Sequence, residues 1–95
     1  MKLLKFYAEW CKPCTTLSKM LEDFTSVPVE NINVDINQEF VTKYTIRNIP
    51  TLILIDDEGK ELYNHTGLIT LNELKSKIDA IKRDYTLEWS IKKTI

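Results

Sequence analysis

Sulfur and imidazole are scarce in this chain: Cys11 and Cys14 are its only cysteines, and His65 its only histidine, among 95 residues. Any sulfur chemistry must therefore run between the two cysteines. Structural zinc needs four ligands, typically from paired motifs, and these three groups fall short, with His65 far from Cys11 in sequence. No metal and no other cofactor is expected. Basic excess is also missing. Thirteen Lys and Arg face fourteen Asp and Glu, a net charge of −1, which disfavours nucleic acid and anionic lipid as partners. No apolar run approaches the roughly 18–20 residues of a membrane span. The opening Met1-Lys2-Leu3-Leu4-Lys5-Phe6-Tyr7 has a short apolar stretch broken by Lys5 and no small-residue cleavage site, so it reads as a strand and not a signal peptide. Two close cysteines without a signal peptide point to a reducing compartment, and a cytoplasmic location is expected. Internal repeats, low-complexity tracts and Pro/Gly-rich linkers are absent as well. The expected organisation is a single domain over residues 1–95, with a core over 1–83 and a C-terminal extension over 84–95.

Hydrophobic periodicity supplies the elements. Leu3 to Ala8 reads as a mostly buried strand. From Lys12 to Phe24 the residues Leu17, Met20, Leu21 and Phe24 recur as one helical stripe, ended before Pro28. Val29 to Asp35 reads as a second strand, and Gln38 to Tyr44 as a short helix. Thr51-Leu52-Ile53-Leu54-Ile55 is continuous, as in a strand buried on both faces. Asp56-Asp57-Glu58-Gly59 turns it into a hairpin with Lys60 to Thr66. Thr70-Leu71-Asn72-Glu73 fits a capping box, and Leu71, Leu74, Ile78 and Ile81 stripe the helix that follows. The order β-α-β-α-β-β-α implies an α/β fold, a mixed central sheet flanked by helices. In the tail, Tyr85, Leu87, Trp89 and Ile91 alternate with polar residues, and this period of two predicts an extra C-terminal edge strand, a frayed terminus being the other reading.

The chemistry concentrates in Phe6-Tyr7-Ala8-Glu9-Trp10-Cys11-Lys12-Pro13-Cys14. A Cys-x-x-Cys placed where a strand runs into a helix puts its first sulfur at the helix's positive end, which favours a thiolate. Cys11, nearest the helix start, is expected to attack. Cys14, one turn further in, is expected to be shielded and to resolve, since i and i+3 side chains are neighbours. Pro13 lacks an N–H, which a first turn tolerates, and stiffens the loop. Lys12 adds a positive charge beside Cys11, and a nearby cation favours the thiolate. Lys5 has two readings: a charge acting on the sulfurs from below, or a strand lysine that snorkels out or pairs with a carboxylate.

With these residues in view, the chain resembles the thioredoxin family. Trp10-Cys11-Lys12-Pro13-Cys14 resembles its active-site motif, Asn33-Val34-Asp35 the end of its next strand, and Ile49-Pro50-Thr51 its cis-proline stretch. Gly67 matches a glycine after its last strand, and the likeness runs from about Leu3 to Ile81. The resemblance implies a thioredoxin-like fold and a protein-disulfide reductase working through Cys11 and Cys14. It implies that Asp35 bonds the Trp10 indole, the alternative being a plain strand-end aspartate. It implies a client platform from Trp10, Pro13, Ile49, Pro50, Gly67 and Leu68 around Cys11; core packing is the other reading of Trp10. Partners would be disulfide-containing client proteins and a thioredoxin-reductase-type electron donor, with the chain a monomer.

The sequence also departs from that family. It starts directly at the active-site strand, without the usual first strand and helix, so one sheet edge is expected to be open, and the alternating tail is expected to fill it. Lys5 stands where the family has a buried aspartate, Asn31 where it has that aspartate's partner lysine, Lys19 where it has a helix-kinking proline, and Tyr7 where tryptophan is common. Two other functions compete: a glutaredoxin-like reductase using glutathione, favoured by the compact start, and a redox-independent scaffold, favoured by the open edge.

Overall fold

A computed structural model describes the backbone of residues 1–94 and the side chains of residues 1–86. Its elements run β1 (Lys2–Tyr7), α1 (Lys12–Leu21), β2 (Val29–Asn33), α2 (Gln38–Lys43), β3 (Thr51–Ile55), β4 (Glu61–Thr66) and α3 (Leu71–Thr94). The sheet order is β2-β1-β3-β4. β1 lies parallel to β2 and antiparallel to β3, and β3 is antiparallel to β4. This is a mixed sheet with its two most apolar strands in the middle: all five residues of β3 are buried, as are Leu3 to Phe6 of β1.

Alternation along β1 divides the core. Leu3 joins Leu52 and Leu54 on one face, covered by Leu17 and Leu21 of α1 and by Leu74 and Ile78 of α3. Leu4 and Phe6 join Ile32, Ile53 and Ile55 on the other, packed against Phe40 of the short α2 and Tyr44 at its end. Strand geometry sends Lys5 and Tyr7 to the same side as Leu3, towards α1.

Local hydrogen bonds set the element ends. α1 stops at Leu21, short of Phe24, because its backbone tightens: the N–H groups of Glu22, Asp23 and Phe24 bond to Lys19, Met20 and Leu21, three residues back. Phe24 still packs in the core from this turn. β2 stops at Asn33, two residues before the predicted end. The Asn33 side chain accepts the Asp35 N–H at 2.9 Å, a turn that asparagine makes readily. α2 closes with Thr45 in the left-handed region at φ 53°. Ile46 N–H reaches back to the Val41 carbonyl and Thr45 N–H to that of Thr42, the paired bonds of a Schellman motif. Asp56 binds the N–H groups of Glu58 and Lys60 at 2.9 Å each and so shapes the hairpin turn. Thr70 Oγ1 accepts the Glu73 N–H at 3.2 Å at the start of α3.

The predicted C-terminal edge strand is not there. The backbone from Leu71 to Thr94 is one helix. Two patterns coexist in this stretch: Tyr85, Leu87, Trp89 and Ile91 alternate, while Ile81, Tyr85 and Trp89 also recur every fourth residue, as on a helix face. Neither glycine nor proline interrupts the chain after Gly67. Extending an existing helix costs no new nucleation, whereas a separate strand would require a turn that the sequence does not provide. The tail therefore does not fill the β2 edge, and among the described residues that edge is unpaired.

A candidate dithiol active site

β1 ends at Tyr7, and buried Ala8 carries the chain into a tight turn, its carbonyl accepting the Cys11 N–H at 3.2 Å. Cys11 is the N-cap of α1, with extended φ −91° and ψ 107°, Pro13 lies in the first turn, and that turn holds no acidic residue. The Cys14 N–H donates to Cys11 Sγ at 3.2 Å. The sulfur thus takes the place of the oxygen that usually satisfies a helix's first free donors. The cysteine Cα atoms are 5.3 Å apart and the sulfurs are joined as a disulfide. Both side chains are buried, Cys11 at 5% exposure and Cys14 at 2%, packed with Ala8, Tyr7, Val34 and Ile49. Lys12 is solvent-exposed at the first helical position.

On one side of the sulfurs lies an open groove of about 320 Å³, lined by Trp10, Val34, Ile46, Arg47, Asn48 and Ile49 among others. Trp10 is 70% exposed, so it is not core packing. Its indole N–H donates to Asp35 Oδ2 at 3.0 Å, and the Asn33 turn is what presents Asp35 to it. The Ile49–Pro50 peptide bond is cis. The buried Pro50 carbonyl accepts the Gly67 N–H at 2.8 Å, with Gly67 at φ 95°, a backbone conformation that favours glycine. Leu68 is exposed outside the groove lining, and its carbonyl sits 3.0 Å from His65 Nε2.

Behind the sulfurs is a second cavity of about 260 Å³, lined by Lys5, Tyr7, Glu9, Cys14, Ser18 and Asn31 among others. Lys5 is buried at 6% exposure, so it does not snorkel out. Its ammonium donates to Ser18 Oγ and sits 5.2 Å from the centre of the Tyr7 ring. Among the described residues it forms no ion pair. Burial without a countercharge pushes its pKa below the usual 10.5. A cavity of about 610 Å³, larger than either of these, lies away from the chemistry, near the start of β1 around Lys2, Glu30, Tyr44 and Asp56.

The structure thus gathers the sequence candidates into three neighbouring sets. Cys11, Cys14 and Ile49 share one cluster; Trp10 and Asp35 are bonded to each other beside it; Lys5 shares the rear cavity with Cys14. Sequence reasoning overlooked Ser18, although it lies four residues after Cys14 and hence on the same helix face. It also overlooked Arg47 and Asn48 in the groove, where no periodicity marks a loop residue as lining a surface.

A sulfur pair that forms a disulfide, seated at a helix N-terminus beside an exposed apolar groove, defines a thiol–disulfide oxidoreductase: such a pair can exchange with another disulfide at that surface. The sequence model of the Thioredoxin family matches residues 1–80. The chain is 38% identical over 77 residues to thioredoxin from Rickettsia bellii, covering 76% of this chain and 72% of that protein. It is 32% identical to thioredoxin from Pseudomonas aeruginosa, over 82% of this chain and 76% of that one. A mutant thioredoxin from Halobacterium salinarum superposes with a TM-score of 0.76 at 36% identity, covering 84% of this chain and 73% of that structure. The chain belongs to the thioredoxin family, whose members reduce protein disulfides by dithiol exchange.

Proposed function

We propose that this chain is a reductant of client-protein disulfides in which Cys11 attacks and Cys14 resolves. The Cys11 thiolate displaces one sulfur of the client disulfide, and that sulfur leaves as a thiolate with the electron pair. Cys14, deprotonated, then attacks Cys11 Sγ, the Cys11–client bond breaks, and the client's second sulfur departs. The client gains two electrons and two protons, and the Cys11–Cys14 dithiol loses them. A thioredoxin-reductase-type donor restores the dithiol.

The observation that carries this assignment is the helix cap: Cys11 Sγ accepts the Cys14 N–H at a helix start with no acidic side chain in its first turn. Such a site stabilises negative charge on Cys11 in preference to Cys14. Lys12 beside it adds positive charge, Pro13 holds the turn, and Asp35 steadies Trp10. Trp10, Ile49, Pro50, Gly67 and Leu68 make the client surface, with the Ile49 backbone free to pair with an extended client segment. The working unit is residues 1–83, acting as a monomer in the cytoplasm, and residues 84–95 are an extension of it. Among the described residues no helix is long and apolar enough to cross a membrane.

Trapping tests the roles. Cys14→Ser is expected to accumulate a stable mixed disulfide with a disulfide-bonded client protein, visible by non-reducing electrophoresis, while Cys11→Ser accumulates none. The reverse pattern would assign the roles the other way. Turnover with NADPH and a thioredoxin reductase is expected to exceed turnover with glutathione, and efficient reduction by glutathione alone would favour the glutaredoxin-like reading. Retained biological activity after replacing both cysteines by serine would favour the scaffold.

A further inference from the structure

The resolving step needs Cys14 as a thiolate, yet Cys14 is the more buried of the two cysteines, at 2% exposure. It lies inside the first turn, where its own N–H is given to Cys11. Burial in apolar surroundings opposes ionisation of a thiol, so some nearby group must offset it. Among the described residues only one cation lines the rear cavity that Cys14 shares, and that is Lys5.

We propose that Lys5 is the charge-setting residue of the resolving step, its ammonium stabilising the Cys14 thiolate across the cavity beneath the disulfide. This rests on the reading of Cys14 as the resolving thiol. The placement follows from two periodicities. Strand alternation turns Lys5 towards α1, and its ammonium is anchored to Ser18, which sits one helical turn from Cys14 on the same face. The Tyr7 ring centre lies 5.2 Å from the ammonium, an arrangement that suits a cation. Across the sheet, Lys5 is in register with Asn31 of β2 and Leu52 of β3; neither carries charge. Glu9, at the cavity's exposed rim, is the one carboxylate among the lining residues. The titratable groups facing Lys5 are thus Cys14, Tyr7 and Glu9.

The exchange balances without any further reactant. In the mixed disulfide, the Cys14 thiol gives up its proton and the resulting thiolate pairs with the Lys5 ammonium. The thiolate attacks Cys11 Sγ, an S–S bond forms between the cysteines, and the bond to the client breaks. The client sulfur leaves with the electron pair and takes up a proton from solvent. After the step Cys14 is uncharged within the disulfide, and Lys5 again faces the cavity without a countercharge. The desolvated ammonium is therefore better accommodated in the thiolate state than in the disulfide state, so its pKa should rise on reduction.

In a Cys11→Ser background Cys14 is the only thiol, and its ionisation can be followed by thiolate absorbance near 240 nm. Lys5→Met is expected to move the Cys14 midpoint up by about one pH unit, a roughly tenfold loss of thiolate at fixed pH below the midpoint. Lys5→Arg is expected to stay close to the parent. A Lys5→Met midpoint that is unchanged or lower overturns the proposal. If Lys5→Met does not fold, the chain with native Lys5 still gives an answer by NMR. The Lys5 ammonium should titrate at higher pH in the reduced protein than in the oxidised one, and equal midpoints overturn the proposal. With both cysteines present, the pH profile of mixed-disulfide resolution should shift upward in Lys5→Met and return in Lys5→Arg. Failure of the native chain to form or resolve any mixed disulfide would instead overturn the cysteine roles. Normal turnover with an unmoved Lys5→Met profile would overturn Lys5 alone.

Discussion

At the scale of single residues the chain's least ordinary feature is a lysine inside a central strand. A lysine is rarely buried without a partner, and among the described residues Lys5 has only the Ser18 hydroxyl and the Tyr7 ring. Sequence could show that it interrupts an apolar strand; it could not show whether the side chain escapes, because that depends on what covers the strand. α1 covers it, and Ser18 receives it. The cost should be visible in stability. Lys5 has its pKa lowered from 10.5 by burial. Below the folded-state pKa the lysine is charged in both folded and unfolded chains, and the burial penalty is fully present. Between that pKa and 10.5 the unfolded chain holds more protons than the native one, so stability rises with pH. Tyr63 acts in the next window with opposite sign. Burial, and secondarily Glu73, raise its pKa above 10.0; past 10.0 the native state holds more protons and stability falls as pH climbs. Denaturant unfolding of the oxidised protein across alkaline pH should therefore show a rise followed by a fall. Lys5→Met should lose the rise and keep the fall; an unaltered rise would mean that Lys5 is not its source.

At the scale of elements, patterning located every strand and helix of residues 1–81 and failed where two patterns overlapped. The run Thr51 to Ile55 is too short and too rich in β-branched residues for a buried helix, and the stripe of Leu17, Met20, Leu21 and Phe24 mixes three- and four-residue steps that no strand repeats. In the tail, Tyr85, Leu87, Trp89 and Ile91 alternate as in a strand while Ile81, Tyr85 and Trp89 keep a four-residue step, and the uninterrupted helix before them decides the outcome. Ends were less legible than centres, since hydrogen bonds such as the Asn33 turn set them. The α2 end is the most unusual. Thr45, a β-branched residue, holds φ 53° to complete the motif that returns Ile46 to Val41. That conformation costs an L-residue about 1–2 kcal/mol, and glycine avoids it while losing about 0.5–1 kcal/mol of chain entropy. Thr45→Gly should thus stabilise the protein by roughly 0.5–1 kcal/mol, raising the denaturant midpoint at unchanged slope. A lowered midpoint would mean that the threonine side chain contributes more than its backbone strain takes away.

At the scale of the whole molecule, folding and redox state are one linked equilibrium. The fold holds the cysteine Cα atoms at 5.3 Å, within the usual range for a disulfide. Any preference of the native structure for the disulfide over the dithiol lowers the pair's reduction potential. The same preference must reappear as extra stability of the oxidised protein, about 1.4 kcal/mol for each 30 mV. A reductant, with a potential near about −270 mV, should be more stable oxidised than reduced. Lys5 opposes that preference, because its ammonium favours the reduced state once Cys14 ionises. Replacing it by methionine changes packing in both redox states alike, so that contribution cancels in the difference between them. The oxidised-minus-reduced stability gap should accordingly widen in Lys5→Met at about pH 8, near the ordinary thiol range. At about pH 5, well below the ordinary thiol range, the gap should match that of the parent. Paired denaturant curves of both redox forms at both pH values measure it. A gap that widens equally at the two would trace the effect to packing around the disulfide and not to charge on Cys14.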